Sequence, residues 1–310
     1  MRALSRLLLV RTNPWKPRTG PYPPLGCLHL ASAVRAWLDP GIEIRLADMA
    51  AARMGFADLE RLYKEFKPDV VGLSSLSHEH ADLLEAARLA RGALPEALIV
   101  AGGPHATMFH DVLAPEPDLD AIVRGEGERT FVELLEAWAD GRDLAGVAGL
   151  SLWRDGGLVE TGERPFEADL DALPPAAWDL LDIPAYARGT NMNGILAASP
   201  YMPVMTTRAC PYRCVYCHRL FGTKFRTRSV TAVLDELELL RDRYGVREVH
   251  FVDDCFNLRR QRALDICRGM VDRRLGYKIA FPNGVRGDRM DEELIVALEA
   301  AGAYMITFAV

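Results

Sequence analysis

The sequence predicts an α/β protein: an N-terminal doubly wound, Rossmann-like domain followed by a partial (β/α) barrel. Three observations predict it. Short apolar runs alternate with helix-like segments over residues 1–140, the pattern of a parallel sheet covered on both faces. Glycines and small hydroxyls stand where those runs end. A second series of strand–helix units fills residues 201–310, and a length of 310 residues accommodates two domains.

Taken in order, residues 6–10 read as a buried strand, and a Pro- and Gly-rich loop over 12–24 leads to a helix at 25–38. Strands follow at 42–46, 69–74, 97–101 and 121–123, with helices at 58–66, 79–92 and 128–139 between and after them. Ligands of such sheets bind beyond the carboxyl ends of the strands. The residues found there are Ser74-Ser75-Leu76, then Gly102-Gly103-Pro104-His105, then Gly125-Glu126-Gly127-Glu128. Glycine permits close backbone approach, and small hydroxyls with helix-start amides suit a phosphate-bearing ligand. Each piece taken alone also reads as an ordinary tight turn or helix cap, and Glu126 and Glu128 as acids favouring a helix N-terminus. His78 and His80 flank a helix start, where solvated residues are common.

Residues 141–200 read as a connector. It opens with a β-hairpin, strands at 149–153 and 158–160, and continues as a proline-rich irregular stretch through Trp178, Pro184 and Tyr186. The second domain then offers strands at 202–205, 248–252, 278–281 and 304–310, with helices at 230–244, 260–275 and 291–301. Polar residues at strand ends, Asp253, Asp254 and Arg286 among them, place a site on the carboxyl face of this barrel.

Composition narrows the function. A 49% hydrophobic content supplies cores for both domains, and a net charge of −6 argues against a nucleic-acid protein driven by phosphate contacts. The early apolar run 7–10 is too short for a signal sequence or a membrane span. Cys27, Cys255 and Cys267 are isolated, so no disulfide framework is expected, and the chain reads as a soluble cytoplasmic protein.

The chemistry centres on Cys210, Cys214 and Cys217, spaced C-x3-C-x2-C within eight residues. Thiolates so close together in one loop can reach adjacent corners of an iron–sulfur cube, whose usual closed state has four cysteines. Three ligands leave one metal position open, which is where chemistry occurs. Two other readings stand beside this one: unrelated buried thiols, and a zinc site completed by His218. The second suffers because His218 directly follows Cys217, which is poor geometry for closing a tetrahedron.

The stretch C-x3-C-x-aromatic-C, with Tyr216 in the aromatic slot, resembles the cluster loop of radical S-adenosylmethionine (SAM) enzymes. The resemblance implies a 4Fe–4S cluster on Cys210, Cys214 and Cys217, its fourth iron chelated by SAM, with Tyr216 among the SAM contacts. By the same resemblance Asp253 or Asp254 falls where the family binds the amino end of SAM; as a pair of acids they also read as a helix cap or as solvent ligands. Arg286, at the end of the third strand, is placed to face SAM or substrate. Ser74-Ser75-Leu76 and Gly102-Gly103 resemble the S-x-L and G-G motifs of the cobalamin-binding fold. Pro23-Pro24-Leu25-Gly26, the run from Gly102 to Thr107, and residues 124–128 resemble the cobalamin-binding members of the radical SAM superfamily. The contacts so implied are Ser74, Ser75, Leu76, Gly102, Gly103, Pro104, His105, Gly125 and Glu126. Carriers that ligate cobalt through histidine use D-x-H-x-x-G. His29 sits at that spacing, but the Asp and Gly are absent and a helix is expected there, which implies a cobalamin with no histidine below the metal.

The resemblance implies a cobalamin-dependent radical SAM enzyme, foremost a methyltransferase acting on an unreactive carbon. A 5′-deoxyadenosyl radical would take hydrogen from a small-molecule substrate, and methylcobalamin would supply the methyl group. It also implies a one-electron donor such as flavodoxin or ferredoxin. A radical cyclase or rearrangement enzyme is the alternative reaction, and a non-catalytic corrinoid-binding protein or inactive fragment the alternative of another class. A methylthiotransferase would carry three further N-terminal cysteines, where this chain has only Cys27. The chain stops inside an apparent strand with fewer strands than the family's barrel, so a truncated form is expected.

Overall fold

The computed structural model describes residues 2–15, 21–187 and 196–309. Parts of the predicted 12–24 loop and of the connector, and the last residue of the final strand, lie outside the described residues. The chain divides into two compact units, Met1–Phe166 with Pro174–Asp182, and Glu167–Leu173 with Ile183–Val310.

The first unit is a seven-stranded sheet. In chain order its elements are β1 (Arg6–Arg11), α1 (Leu25–Trp37), β2 (Glu43–Asp48), α2 (Phe56–Phe66), β3 (Val70–Ser74), α3 (His80–Ala93) and β4 (Leu98–Gly102). Two short helices, α4 (Gly103–Met108) and α5 (His110–Leu113), then lead to β5 (Ala121–Val123), α6 (Gly127–Asp140), β6 (Leu150–Arg154) and β7 (Gly157–Glu160). The strand order is β2-β1-β3-β4-β5-β6-β7. The pairs from β2 through β5 are parallel, and β6 and β7 are antiparallel.

Alternation along β1 decides the layers. Leu7 and Leu9 join the core that includes Ala31, Val34, Leu134 and Leu135 of α1 and α6, while Leu8 and Val10 join Leu59, Tyr63, Leu83 and Ala86 of α2 and α3. All four apolar side chains of β1 are therefore buried, as strands of a parallel sheet must be when helices cover both faces. The hairpin expected in the connector is part of this sheet: Ile122 of β5 pairs with Ser151 of β6, so the first unit extends to Phe166. Two strands joined by a tight turn bury little when alone, and pairing with β5 supplies the third strand that stabilises them.

The second unit holds β8 (Tyr201–Val204), β9 (Thr207–Arg208), β10 (Arg226–Thr227), α7 (Val230–Tyr244), β11 (Glu248–Phe251), α8 (Arg260–Asp272), β12 (Lys278–Arg286), α9 (Glu292–Ala301) and β13 (Ala303–Ala309). Four parallel strands run in the order β13-β12-β11-β8, and β9 and β10 form a two-residue antiparallel ladder at the foot of the cysteine loop. Helix α7 starts where the Ser229 hydroxyl accepts the Ala232 N–H at 3.1 Å and ends at left-handed Gly245 (φ 67°). Phe251, Phe256 and Phe281 pack with ring centroids 4.9–5.4 Å apart inside the sheet's core. No helix among the described residues is long and apolar enough to cross a membrane.

Candidate functional sites on the two units

In the first unit the order β2-β1-β3 reverses the direction of winding between β1 and β3, and such a switch point opens a crevice at the strand carboxyl ends. Thr12 closes the floor: its N–H and hydroxyl both donate to the Ser74 carbonyl, at 3.0 and 3.2 Å. Ser74 in turn meets Cys27, whose thiol burial pushes up to about 12 against the opposing pull of Arg11 and the Ser74 bond. Gly103 has φ 86°, and a Cβ there would stand 2.8 Å from Ser74 Oγ, so only glycine fits between the two motifs. Gly125 is likewise left-handed (φ 70°) and its N–H donates to Thr107 Oγ1 at 3.1 Å.

Two polar side chains beside this crevice are buried and unsatisfied. Among the described residues, Ser75, 1% exposed, has no hydrogen-bond partner for its hydroxyl, and His105, 4% exposed, has none for Nδ1. The backbone N–H of His105 donates to the Ser75 carbonyl at 3.3 Å, which ties the two together. On its other side His105 Nε2 meets His80 Nδ1 at 2.8 Å. Burial first, and then the neighbouring His80, hold His105 below the usual imidazole range, against the opposing pull of Glu79. Unsatisfied polar atoms in a buried cradle cost roughly 1–3 kcal/mol each and fit a polar ligand that would satisfy them. Exposed Leu76, Met108 and Phe109 in the same loops offer apolar surface. Orphaned polar atoms, apolar loops and a glycine-only approach together fit a corrinoid, a large ring edged with amides.

Sequence reasoning missed Arg11 and Glu79. Glu79 is 2% exposed, its two carboxylate oxygens take the Arg11 guanidinium, and it accepts the Leu76 N–H at 2.6 Å. This pair fastens the S-x-L loop to β1. An arginine closing an apolar strand was the only local signal. His29 lies half-buried within α1, as its helical context predicted. Pro104 opens α4, and Glu126 occupies the position preceding α6.

In the second unit the cysteine loop grows from a clamp. Asp253 is 1% exposed and accepts four hydrogen bonds: Thr206 N–H at 2.6 Å, Thr207 N–H at 2.5 Å, Thr206 Oγ1 at 3.0 Å and Thr207 Oγ1 at 2.9 Å. Burial pushes its carboxyl up, opposed by the Arg262 guanidinium and these donors. Arg262 also grips Thr206, donating to its Oγ1 at 3.2 Å and to its carbonyl at 3.0 Å. Ala209 then adopts φ 73°, an unusual left-handed conformation for alanine, and turns the chain out of β9 into Cys210.

Cys210 is half-buried, while Cys214 and Cys217 are exposed, and the Cys217 N–H donates to the Cys214 carbonyl at 3.2 Å. Burial raises the Cys210 thiol, and the charges of Asp254, Cys217 and Cys214 raise it further, so all three thiols and Asp254 share one neighbourhood. Among the described residues, no three His, Cys, Asp or Glu side chains converge on a single metal ion. The donor set, three soft thiolates on one short loop, fits a 4Fe–4S cube with one corner open.

The two adjacent acids part company here. Both Asp253 oxygens are committed to the clamp, whereas Asp254 faces the loop, 3.8 Å from His218 Nε2. Burial pushes the Asp254 carboxyl up and His218 opposes it. Tyr216 is 80% exposed on the loop. Arg286 lies with its guanidinium 4.0 Å from the Tyr212 ring centroid and pairs with Asp288 at 2.8 Å. Buried Asn257 exchanges two 2.9 Å bonds with the Arg286 backbone, fixing β12 against the loop that follows β11. Thr206, Thr207, Arg262 and Asn257 carried no sequence signal of their own, because their partners lie dozens of residues away.

The chain matches the B12 binding domain family over residues 17–135 and the Radical SAM superfamily over residues 204–310. It is 34% identical over 291 residues to an uncharacterised methyltransferase of Pyrococcus horikoshii, covering 93% of this chain and 60% of that one. It is 31% identical over 333 residues to the cytidylyl-2-hydroxyethylphosphonate methyltransferase of Streptomyces wedmorensis, covering 93% and 61%. In fold it is similar to TsrM of Kitasatospora setae, a radical SAM methyltransferase solved with cobalamin and a 4Fe–4S cluster, with a TM-score of 0.74 and 23% identity over 97% of this chain and 58% of that one. The chain therefore spans about 60% of the length of these relatives. With a B12 binding domain followed by a radical SAM domain, it belongs to the cobalamin-binding radical SAM superfamily.

Proposed function

We propose that the protein is a cobalamin-dependent radical SAM enzyme that transfers a methyl group to an unreactive carbon of a small molecule. The observation that carries this reading is the open three-thiolate loop of the second unit, rooted on Asp253 with Asp254 left free of the clamp beside it. When bound, the cluster and SAM supply a carbon-centred radical and the corrinoid supplies the methyl group. Cys210, Cys214 and Cys217 hold the cluster. Asp254 takes the ammonium end of SAM, Tyr216 and Arg286 lie along the rest of it, and Asp253 holds the loop in place. In the first unit the Gly102-Gly103 turn and Ser74 admit the corrinoid, Leu76 covers it, and Ser75 and His105 bond its polar edge. Pro104, Gly125 and Glu126 shape the neighbouring wall. The thiol loop requires a reducing compartment, and we place the protein in the cytoplasm.

Anaerobic reconstitution with iron, sulfide and hydroxocobalamin tests the reading. Uptake of about four irons and one corrinoid, with 5′-deoxyadenosine released from SAM, is the expected result. A single zinc in place of iron would refute the loop assignment, and no corrinoid uptake would refute the first-unit site. Corrinoid binding without SAM cleavage would mark a carrier.

A further inference from the structure

Ser74 and Gly102 are paired across β3 and β4, so the loops that follow these strands run side by side. Two histidines 25 residues apart meet there. His80, whose place at a helix start suggested a solvated residue, is half-buried in the first turn of α3, and His105 is buried in α4. His80 Nδ1 and His105 Nε2 are 2.8 Å apart with the rings edge-on, and Phe109 lies against the His105 ring at 5.1 Å. Two imidazole nitrogens at this distance hold one hydrogen between them. When it sits on His80 Nδ1, a neutral His105 carries its own hydrogen on Nδ1 and is a donor there. When it sits on His105 Nε2, Nδ1 is a bare acceptor. One added proton on either ring removes the second state, because both nitrogens of a charged imidazole carry hydrogen. The charged groups around the pair are the Glu79–Arg11 ion pair, His78, whose Nε2 is 3.5 Å from Glu79 Oε1, and Asp82 in the first turn of α3.

We propose that His80 is a positioning residue that sets His105 Nδ1 as a hydrogen-bond donor, so that the cradle of Ser75 and His105 selects a carbonyl on its ligand. The inference rests on the corrinoid reading of this site, and the amide side chains of a corrinoid edge bear such carbonyls. The Ser75 hydroxyl both donates and accepts, so it takes either end of an amide and discriminates nothing. His105 supplies the discrimination, and His80 decides its sense. Each proton taken up by the pair enlarges the donor population and makes the bond charge-assisted, which strengthens it. Corrinoid affinity therefore gains as pH falls through the histidine range.

The test uses the whole chain, loaded anaerobically with iron and sulfide, and methylcobalamin in the dark as the probe. Equilibrium dialysis reads its affinity for the native chain, His80→Asn and His80→Ala across about pH 5.5–8.5. Protons exchanged by the corrinoid itself are common to all three, so differences between the profiles carry the result. Asparagine places an amide near the Nδ1 position that bonds His105 and never titrates. His80→Asn should match native affinity within about twofold at pH 8, and should lack the further gain of roughly fivefold that native shows at pH 6. His80→Ala should lack the same gain and bind more weakly than His80→Asn, because nothing fixes the His105 ring. Iron content should stay at the native value, and His80→Asn carries the comparison if His80→Ala folds poorly. Parallel profiles for native and His80→Asn would overturn the inference while leaving the corrinoid site standing. So would a native affinity that falls in acid relative to His80→Asn, which would make Nδ1 an acceptor, or a His80→Asn as weak as His80→Ala at pH 8, which would reduce His80 to packing. No uptake of methylcobalamin by the native chain at any pH would overturn the corrinoid reading, and this one with it.

Discussion

Replacing Asp253 separates a loop held by its own sequence from a loop held by its root. In Asp253→Ala the two backbone N–H groups and two hydroxyls of Thr206 and Thr207 lose their common acceptor, and Arg262 loses its counter-charge. An orphaned buried donor costs about 1–3 kcal/mol, and removing one partner of a buried charge pair about 3–5 kcal/mol. Water entering the vacated space offsets part of this, and the hydroxyls can rotate towards other acceptors, so the expected loss is ~4 kcal/mol. Asp253→Asn keeps the Oδ1 position, which accepts three of the four bonds, and exchanges charged for neutral acceptance, for about 2 kcal/mol. At roughly 2–4 °C per kcal/mol, the alanine variant should melt about 8–16 °C lower in differential scanning calorimetry, and the asparagine variant about half that. The same variants should lose iron faster to a chelator, in the same order. An alanine variant within ~0.5 kcal/mol of native that also retains its iron would refute the clamp.

Three further outcomes follow from particular contacts. Gly103→Ala forces a left-handed alanine against Ser74 Oγ, so hydroxocobalamin titration should show affinity weakened at least about tenfold, with a stability loss of ~1–3 kcal/mol. Cys217→Ser should abolish iron–sulfur absorption while leaving the far-ultraviolet circular dichroism unchanged, because the side chain is exposed and packs on no core. Glu248 is buried, which pushes its carboxyl up, but bonds from His250, the Ala198 N–H and Tyr304 outweigh burial and the net displacement is downward. A depressed carboxyl stabilises the fold above its unfolded value and loses that contribution as pH falls through the folded one. Glu248→Gln should therefore be less stable than native at pH 7, with the gap in urea midpoint narrowing below about pH 4; a gap that widens in acid would refute the assignment.

The sequence was most informative where a residue type narrows the possible explanations. Three cysteines within eight residues, and a glycine pair closing a β-strand, pointed to the two candidate sites, because a clustered thiol set and a left-handed glycine each narrow what a stretch can do. Alternating apolar runs likewise revealed the parallel sheets, since burial of both strand faces leaves a continuous hydrophobic signature. What remained hidden depends on distant partners. Asp253 and Asp254 are indistinguishable by composition, and only the position of Thr206 and Thr207 turns one into an anchor and leaves the other facing the loop. The hairpin at β6 and β7 was legible as a hairpin, but its pairing with β5 was not, because strand neighbours across a long connection leave no local trace. Arg11 and Glu79 became a pair only when β1 and β3 were laid side by side.

The contrast among the six cysteines has a practical consequence for handling the protein. Cys27, Cys255 and Cys267 are 2–3% exposed, and burial pushes each thiol up to about 12, so almost none is thiolate at neutral pH. The loop thiols stand in reach of solvent or half so. Alkylation by a polar reagent therefore divides the chain chemically, with three positions modified early and three only on unfolding. Mass spectrometry of the peptide bearing Cys210, Cys214 and Cys217 then reports cofactor occupancy without any spectrum, because a loaded loop is shielded and an empty one is labelled. The same asymmetry makes air the first hazard in purification, since oxidation reaches the loop while the core thiols stay intact.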